Sequence, residues 1–402
     1  NALAQNNGNK LVSDNFDFAK RQMVHMLENI PQGEAKMPHS INGKGNTSCR
    51  SIYWWTSGFF PGILWYINEY TGDKAFESFA KKWTEKLEPV KTFKGNHDIG
   101  FMMYCSFGNA YRLTQNEKYK DILIQSAYSL ATRFNPQVGT IKSWDSWRSW
   151  ENKHVFKYPV IIDNMMNLEL LFWASKATGD PSFRNIAISH AEKTMKYQIR
   201  KDGSSYHLAC YDPETGNFIK GETSQGYSNE STWSRGQGWG IYGFTLCYRE
   251  TKDPRFLKTA QRMADYYINH PNLPSDKIPW WDFDTHRPGF IPGKFSKTNK
   301  YIQNYRDASA ASVTASALLE LSSYVKDDKK KIYTETALQI LTSLSSPEYR
   351  AEEGKNGNFI LKHSTGAIPH GSEVDVPLIY ADYYFLEALL RYNRMINNKP
   401  IL

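Results

Sequence analysis

The sequence of 402 residues lacks the features that define several common protein classes. It contains no run of about 20 apolar residues, so we expect no transmembrane helix and no insertion into a membrane. No Gly-rich segment follows a strand pattern in the way that a phosphate-binding loop requires. The four cysteines are far apart and do not have the spacing of metal ligands: Cys49, Cys105, Cys210 and Cys247. The sequence therefore predicts neither a metal nor a cofactor.

No block of Lys or Arg forms a basic tail or a basic helix, although the formal net charge is +8. A basic protein attracts polyanions, which include nucleic acids and acidic polysaccharides. No nucleic-acid-binding motif is present, so we expect no nucleic acid partner. Aromatic residues make up 14% of the chain, and their rings can stack on sugars as well as fill a core. An acidic polysaccharide is therefore the polyanion that remains.

The sequence begins Asn1-Ala2-Leu3-Ala4-Gln5, without a methionine. We expect an upstream signal segment to have been removed, which predicts a periplasmic or secreted protein. A start trimmed for expression would look the same, so a cytoplasmic location stays open. The sequence does not distinguish a monomer from a small homo-oligomer.

A short turn recurs along the chain and indicates a helical repeat. Each copy joins two helical patterns, because a Gly or a substitute ends the first helix and an Asp or Asn can cap the second. The copies are Thr71-Gly72-Asp73, Thr114-Gln115-Asn116, Thr178-Gly179-Asp180, Thr251-Lys252-Asp253 and, more loosely, Lys326-Asp327-Asp328.

The helices on the two sides of each turn differ in character. The helix before the turn is apolar nearly all round, as in 163–177 and 307–325, which is typical of a buried helix. The helix after the turn has one apolar stripe, as in 181–199, which is typical of a peripheral helix. About six helices of each kind alternate, from an outer helix at 14–30 to an inner helix at 377–396. The pattern predicts an all-α fold, an (α/α)6 barrel.

The barrel is expected to form a single catalytic domain over residues 14–402, preceded by a flexible N-terminal extension at residues 1–13. Long segments join several outer helices to the next inner helix, and long loops in a compact domain are usually functional. These segments are 135–162, 200–234, 271–306 and 347–376.

All inner helices of such a barrel run in one direction, so their starts meet at one end. Helix starts that are rich in Trp, Asp, Arg and His and that meet at one end predict a polar, aromatic-walled cavity of the kind that holds a sugar. The starts are rich in Trp, Asp, Arg and His: Trp54-Trp55-Thr56, His97-Asp98, Asp163-Asn164, Trp233-Ser234-Arg235-Gly236-Gln237, Arg306-Asp307 and Glu373-Val374-Asp375.

Asp98 and Asp163 are the candidate catalytic residues at this end. Asp is also a preferred helix N-cap, so each of them, like Asp307, has a structural alternative. Two carboxylates in one pocket can differ in pKa, so that one donates a proton while the other stays ionised. Sugar hydrolysis commonly needs such a pair, and the spacing leaves open which carboxylate has which role. His97 by itself is more typical of a packed, hydrogen-bonded residue than of a base.

Seven segments of the chain resemble, in order, those of the unsaturated glucuronyl hydrolases of glycoside hydrolase family 88. They are WTSGFFPGILW at 55–65, HDIGF at 97–101, DNMMNLELLFWAS at 163–175, SQGY at 224–227, RGQGWGIYGF at 235–244, RDASAAS at 306–312 and ADYYFLEALLR at 381–391. The resemblance extends from about residue 50 to residue 391. It implies an (α/α)6 barrel, in agreement with the repeat.

The resemblance also implies an activity, the release of a Δ4,5-unsaturated uronic acid from the non-reducing end of lyase-generated, glycosaminoglycan-type oligosaccharides. Such enzymes hydrate the C4=C5 vinyl ether instead of attacking the glycosidic bond directly. By position, Asp163 matches the general acid/base and Asp98 the second carboxylate. The residues expected to bind substrate are Trp55, His97, Trp144, His207, Gln225, Arg235 and Trp239, of which Trp144 lies in a loop that is hard to align.

Two points are left open by these motifs. The fork of Arg235 can bind a carboxylate or a sulfate, but a buried structural ion pair is its alternative. Some relatives that prefer sulfated sugars carry a Ser/Lys signature before the last inner helix, and here that loop reads AIPHGS at 367–372, without the lysine. A preference for sulfated sugars therefore stays open.

Three rival functions remain at this point. The nearest is an unsaturated rhamnogalacturonyl hydrolase, which has the same fold and acts on pectin fragments by similar chemistry. A non-catalytic glycan-binding protein on the same barrel is the second. The third is an epimerase or isomerase with histidine bases, for which His97 and His207 leave room although the order of the motifs argues against it.

Overall fold

A computed structural model describes residues 2–402 of the chain, and these residues are mostly helical. In chain order the α-helices are α1 (Ala2–Asn29), α2 (Phe59–Thr71), α3 (Lys74–Glu85), α4 (Ile99–Met103), α5 (Asn109–Thr114), α6 (Glu117–Ala131), α7 (Leu168–Thr178), α8 (Pro181–Tyr197), α9 (Ser234–Thr251), α10 (Pro254–Asn269), α11 (Ala308–Ser322), α12 (Asp327–Leu344) and α13 (Ile379–Ile396).

The inner ring consists of α2, the pair α4–α5, α7, α9, α11 and α13. A π-helical turn at Tyr104–Gly108 joins α4 to α5, so these two form one interrupted inner helix. Neighbouring inner helices pack against each other around the ring, and α13 packs against both α11 and α2, which closes it. The outer ring consists of α1, α3, α6, α8, α10 and α12. The predicted (α/α)6 barrel is confirmed.

Burial along the helices follows the two predicted types. Every residue of α11 is buried, as is nearly all of α9. On the outer helix α10 the buried residues fall on one stripe, at spacings of three and four residues: Phe256, Thr259, Ala260, Met263, Ala264 and Tyr267. An apolar surface on all sides of the inner helices is what lets a second layer of helices surround them.

Four of the five recurring turns have the capping geometry that their sequences indicate, whereas at the looser fifth turn α12 begins at Asp327 without a side-chain cap. Gly72 and Gly179 end α2 and α7 in the left-handed conformation, which glycine adopts without a Cβ clash. Asp73 and Asp180 then accept hydrogen bonds from backbone N–H groups at the starts of α3 and α8, each at 2.8 Å. Each turn thus reverses the chain from the inner to the outer ring.

The start of the chain differs from the expectation of an N-terminal extension at residues 1–13. Helix α1 begins at Ala2, and Asn1 lies outside the described residues. Val12 is fully buried, and the Gln5 side chain donates a hydrogen bond to the carbonyl of Ile396 on α13. The first outer helix therefore starts earlier than residue 14, because its N-terminal turns also pack on the barrel.

The connecting segments contain short antiparallel strands that the sequence analysis treated as loops. Strands β7, β8 and β9 form a three-stranded sheet, and the other strands form two-stranded hairpins. The strands are β1 (Lys36–Ile41), β2 (Thr47–Ser51), β3 (Phe134–Asn135), β4 (Thr140–Ile141), β5 (Trp147–Arg148), β6 (Val155–Phe156), β7 (Pro159–Ile161), β8 (Leu208–Tyr211) and β9 (Phe218–Glu222). No helix among residues 2–402 combines the length and the apolar character needed to cross a membrane.

Gly58 offers a test of how closely the first two inner helices approach. A Cβ at this position would lie 2.3 Å from the carbonyl oxygen of Phe101 and 2.4 Å from that of Met102. Both are backbone atoms, so relief of the clash would require a shift of α4. The backbone of Gly58 is right-handed, so alanine itself would not be strained. We expect Gly58→Ala to lower the free energy of unfolding by about 1–3 kcal/mol through overpacking, measured by urea denaturation.

Gly33→Ala is the matched control, because no atom lies within 4 Å of a Cβ there. This variant should unfold within about 0.5 kcal/mol of the parent protein. Equal stability of the two variants would contradict the close approach of α2 and α4.

Candidate active site

A cavity opens at the end of the barrel where the inner helices begin. It brings together the starts of α2, α4, α7, α9 and α13 with the loops that precede them. Its lining residues are Trp54, Trp55, Asn96, Asp98, Trp144, Trp147, Ile161, Asp163, Ser224, Gln225, Ala367, His370, Ser372 and Glu373. The two candidate carboxylates, Asp98 and Asp163, thus share one hollow.

Neither of these carboxylates serves as a helix cap. Asp98 stands at the N-cap position of α4 without a side-chain capping bond, and Asp163 lies on the 3-10 turn Ile162–Met166 that precedes α7. By contrast, Asp307 caps α11 through the backbone N–H of Ser309 at 3.0 Å. Asp98 and Asp163 are only 7% and 6% exposed. Two nearly buried carboxyl groups without a capping role are therefore available for chemistry.

His207 is the closest basic partner of Asp163. Its Nδ1 accepts hydrogen bonds from the backbone N–H groups of Ser224 and Gln225, at 3.0 and 3.2 Å, so the proton of the neutral ring is assigned to Nε2. That Nε2 lies 3.6 Å from Asp163 Oδ1. Burial lowers the pKa of His207, although the nearby Asp163 raises it. The ring therefore faces Asp163 as a neutral N–H group.

His97 faces Asp98 through its Nε2, as His207 faces Asp163, but it lies deeper in the protein. The ring is fully buried, and its Nε2 lies 3.1 Å from Asp98 Oδ1. Its Nδ1 lies 3.1 Å from the hydroxyl of Ser143. His97 is thus a packed residue that supports a carboxylate, and it does not line the cavity.

Tryptophans form the walls of the cavity. Trp55 and Trp144, both predicted, are partly exposed and line it. Trp54, which was expected at this end of the barrel but not among the substrate-binding residues, also lines it, as does Trp147, which was not predicted. Trp147 packs edge-on against Trp150 and at 6.0 Å from Trp144. Large ring faces beside carboxylates form the surroundings that a sugar ring needs.

Two other predicted residues, Arg235 and Trp239, lie behind the cavity wall. Arg235 is fully buried and donates hydrogen bonds to Asp307 and to the carbonyls of Thr365 and Gly366. These bonds tie α9 to the loop before α13, which is the structural role given as its alternative, while substrate binding by Arg235 stays a prediction. Trp239 is also fully buried and packs against aromatic rings in the barrel interior. Neither side chain is among those that line the cavity.

Gln225 lines the cavity on a loop that several buried groups hold in place. Its amide donates to the carbonyl of Gly366 at 3.3 Å. Two residues further on, the backbone N–H of Tyr227 donates to Asp282 Oδ2, and the hydroxyl of Ser231 donates to the same oxygen, both at 2.8 Å. Asp282 is fully buried. This carboxyl group therefore anchors the loop that carries Gln225 and the N–H groups that orient His207.

Glu373 is a third acidic residue of the cavity, and it was not assigned to the site from the sequence. Burial alone would raise the pKa of Glu373, but the short hydrogen bond from His39 and the nearby Arg235 lower it. The second nitrogen of His39 lies 3.0 Å from the hydroxyl of Thr56. Glu373 is thus kept ionised at the cavity wall. Its position at the start of an inner helix was the only sequence signal for it.

A second cavity lies at the opposite end of the barrel, where the inner helices end. Its charged side chains already pair with one another, for example Glu69 with Arg112 and Arg394. Glu387 accepts hydrogen bonds there from the hydroxyls of Tyr66 and Tyr242. No group of three potential metal ligands occurs among residues 2–402. The carboxyl groups available for chemistry are therefore at the first cavity.

Asp282 makes the stability of the protein sensitive to pH. Burial, with a smaller contribution from Asp284, raises the pKa of Asp282 from 3.8 to about 7. A group with a raised pKa binds its proton more tightly in the folded state, so its contribution to stability is present below pH 4 and lost as the pH rises through 7. An asparagine does not titrate, so the free energy of unfolding of Asp282→Asn should depend less on pH. We expect the change in this free energy between pH 4 and pH 8 to be smaller by on the order of 4 kcal/mol than in the parent protein.

The control is Asp121→Asn, which removes one carboxylate from the exposed face of α6. It should leave the slope of stability against pH unchanged. Parallel pH profiles for the parent protein and the Asp282 variant would show that this carboxyl group is ionised throughout.

Comparisons with known proteins show which family the chain belongs to. Residues 29–248 match glycosyl hydrolase family 88. The chain is 46% identical to the unsaturated glucuronyl hydrolase of Formosa agariphila over 343 residues, which cover 85% of this chain and 80% of that protein. It is 34% identical to the unsaturated glucuronyl hydrolase of Bacillus sp. strain GL1, covering 91% and 93% of the two chains.

A solved structure of an unsaturated glucuronyl hydrolase specific for heparin is similar to this chain, with a TM-score of 0.87 and 45% identity. The match covers 97% of this chain and 98% of the other. The family match spans more than half of the chain, and the relatives are similar over most of their length. The chain therefore belongs to glycosyl hydrolase family 88.

Proposed function

We propose that this protein is an unsaturated glucuronyl hydrolase, which removes a Δ4,5-unsaturated uronic acid from the non-reducing end of lyase-generated oligosaccharides. The observation that carries the proposal is the pair Asp98 and Asp163, two nearly buried carboxyl groups in one tryptophan-walled cavity. The relatives named for this activity support it, because they are similar over most of the chain.

The substrate contains a vinyl ether, in which the ring oxygen donates electrons to the C4=C5 double bond. Protonation at C4 produces a cation at C5 that the ring oxygen stabilises. Water then adds at C5 and loses a proton, which gives a hemiketal. The hemiketal opens to a ketone at C5, and the glycosidic bond at C1 then breaks as an ordinary hemiacetal collapses. The protein needs only to deliver one proton and accept another.

Asp163 is suited to both proton transfers. As a general acid it gives its proton to C4, and as a carboxylate it then takes a proton from the incoming water. The neutral Nε2–H of His207, 3.6 Å away, can orient the carboxyl group and stabilise the ionised form after the first transfer. Asp98, with His97 Nε2 at 3.1 Å, binds sugar hydroxyls and assists in this proposal.

The substrate class that we propose is a glycosaminoglycan fragment. Two relatives support it: the solved structure of the enzyme specific for heparin, and an unsaturated chondroitin disaccharide hydrolase of Streptococcus pyogenes that is 34% identical to this chain. The tryptophan walls fit the apolar faces of the sugar rings. The net charge of +8 fits a polyanionic chain.

Substitution of the two aspartates tests the proposal. We expect Asp163→Asn to lower kcat by about 10²–10⁴-fold, because the amide cannot donate or accept the proton. Asp98→Asn should impair turnover less if it only assists. The measurement is the loss of enol ether absorbance with unsaturated heparin, chondroitin and rhamnogalacturonan disaccharides, together with a melting curve that confirms folding.

Two outcomes would contradict the account. Undiminished turnover by a folded Asp163→Asn protein would remove its assigned role. Turnover of the rhamnogalacturonan disaccharide alone would favour the pectin-directed activity, and no turnover of any unsaturated uronide by the parent protein would favour a non-catalytic glycan binder.

A further inference from the structure

The segment from residue 285 to residue 306, which precedes α11, contains no Asp or Glu. It carries three exposed lysines, Lys294, Lys297 and Lys300, and none of the three lies within 4.0 Å of a carboxylate in the described part of the chain. Exposed Lys153 on a neighbouring turn is also without such a partner there. Most lysines on the outer helices, in contrast, stand near acidic residues. An acid-free basic segment is thus left on the surface.

This segment is attached directly to the cavity. The 3-10 turn Lys297–Lys300 packs against the turn Ile368–His370, and Lys297 Nζ donates to the carbonyl of His370 at 2.9 Å. His370 lines the cavity, where its Nε2 lies 3.0 Å from the hydroxyl of Ser224. Lys297 is therefore separated from the cavity by a single residue.

A second connection runs through Trp150. Its indole N–H donates to the carbonyl of Ser224 at 3.0 Å, and its own carbonyl accepts from the backbone N–H of Phe295 at 2.8 Å. The Phe295 ring is 38% exposed. Lys153 Nζ stands 4.3 Å from the centre of this ring and Lys294 Nζ 5.6 Å from it. Phe295, an exposed aromatic ring between two lysines, is thus separated from the cavity residue Ser224 only by Trp150.

The backbone that presents these side chains is well held. The Ser296 and Thr298 side chains are buried and lie 2.7 Å apart, oxygen to oxygen, and the Ser296 hydroxyl also caps the turn through the N–H of Thr298. We call the set Lys153, Lys294, Phe295, Lys297 and Lys300 the basic rim. It combines ammonium groups that no carboxylate neutralises with a ring face, on a fixed backbone beside the site.

We infer that the basic rim binds the acidic groups of the sugars that follow the terminal unsaturated residue, so that this protein prefers long, highly charged oligosaccharides to disaccharides. The inference rests on the proposed function, because it assumes that the terminal sugar occupies the cavity. Sulfates and carboxylates of the chain pair with the lysines, and a sugar face packs on Phe295. The rim contributes to affinity and to attraction of the substrate, and it takes no part in proton transfer.

The test compares an unsaturated disaccharide with an unsaturated hexasaccharide from the same sulfated glycosaminoglycan. The variant is Lys294→Gln/Lys297→Gln/Lys300→Gln. For the hexasaccharide we expect its KM to rise about tenfold with kcat unchanged, and the dependence of KM on salt concentration to weaken. Tenfold corresponds to about 1.4 kcal/mol, which three exposed ion pairs can supply. The kinetics with the disaccharide should stay within about twofold.

The matched control is Lys326→Gln/Lys330→Gln/Lys331→Gln, which makes the same change in net charge at the opposite end of the barrel. It should behave as the parent protein does with both substrates. The inference is overturned if the rim variant matches the control, if it affects the disaccharide as strongly as the hexasaccharide, or if the parent protein does not prefer the hexasaccharide.

Calorimetric binding of both oligosaccharides to Asp163→Asn, with and without the rim substitutions, separates this inference from the proposed function. If the parent protein turns over no substrate, the proposed function fails, and the binding data alone decide the role of the rim. Tenfold weaker binding of the hexasaccharide to the rim variant supports the inference, and equal binding overturns it.

Discussion

The common direction of the six inner helices places the candidate reactive groups of this protein together. Asp98 and Asp163 are well separated in the sequence, and Glu373 lies far beyond both, yet all three line one cavity because each precedes or begins an inner helix. The apolar, largely buried surfaces of α9 and α11 require a second layer of helices to cover them. Because an outer helix returns the chain after each inner helix, successive inner helices run in the same direction. The long connections at this end then supply the tryptophan walls.

A histidine lies beside each carboxyl group of the cavity: His207 beside Asp163, His97 beside Asp98 and His39 beside Glu373. The N–H groups of Ser224 and Gln225 fix the tautomer of His207, and Asp282 in turn anchors their loop through Tyr227 and Ser231. Two successive layers of hydrogen bonds thus orient the histidine that faces Asp163 at 3.6 Å. Preorganisation of this kind lets proton transfer proceed without rearrangement of the site.

The sequence predicted the barrel, four of the five turns and the meeting of Asp98 and Asp163 in one cavity, because these depend on local signals: helical periodicity, Gly or Asp at turns, and recognisable motifs. The catalytic role of the two carboxylates stays a prediction. The sequence did not predict any of the strands β1 to β9, which are too short to show a clear alternating pattern. It also did not assign Glu373 to the site, since the hydrogen bond from His39 joins residues far apart in the chain. The burial of Arg235 behind the wall, beside Asp307, depends on packing that no motif encodes, and its contact with substrate stays a prediction.

The central claim is that one carboxyl group in this cavity delivers a proton to C4 of the unsaturated sugar. Turnover in D2O, followed by NMR of the released uronic acid, tests it most directly. A proton from a fixed side chain reaches only one face of the double bond, so the account predicts deuterium at a single C4 position in the first-formed product. Equal labelling of both C4 positions would mean that C4 is protonated in solution after direct cleavage of the glycosidic bond, and would contradict the account.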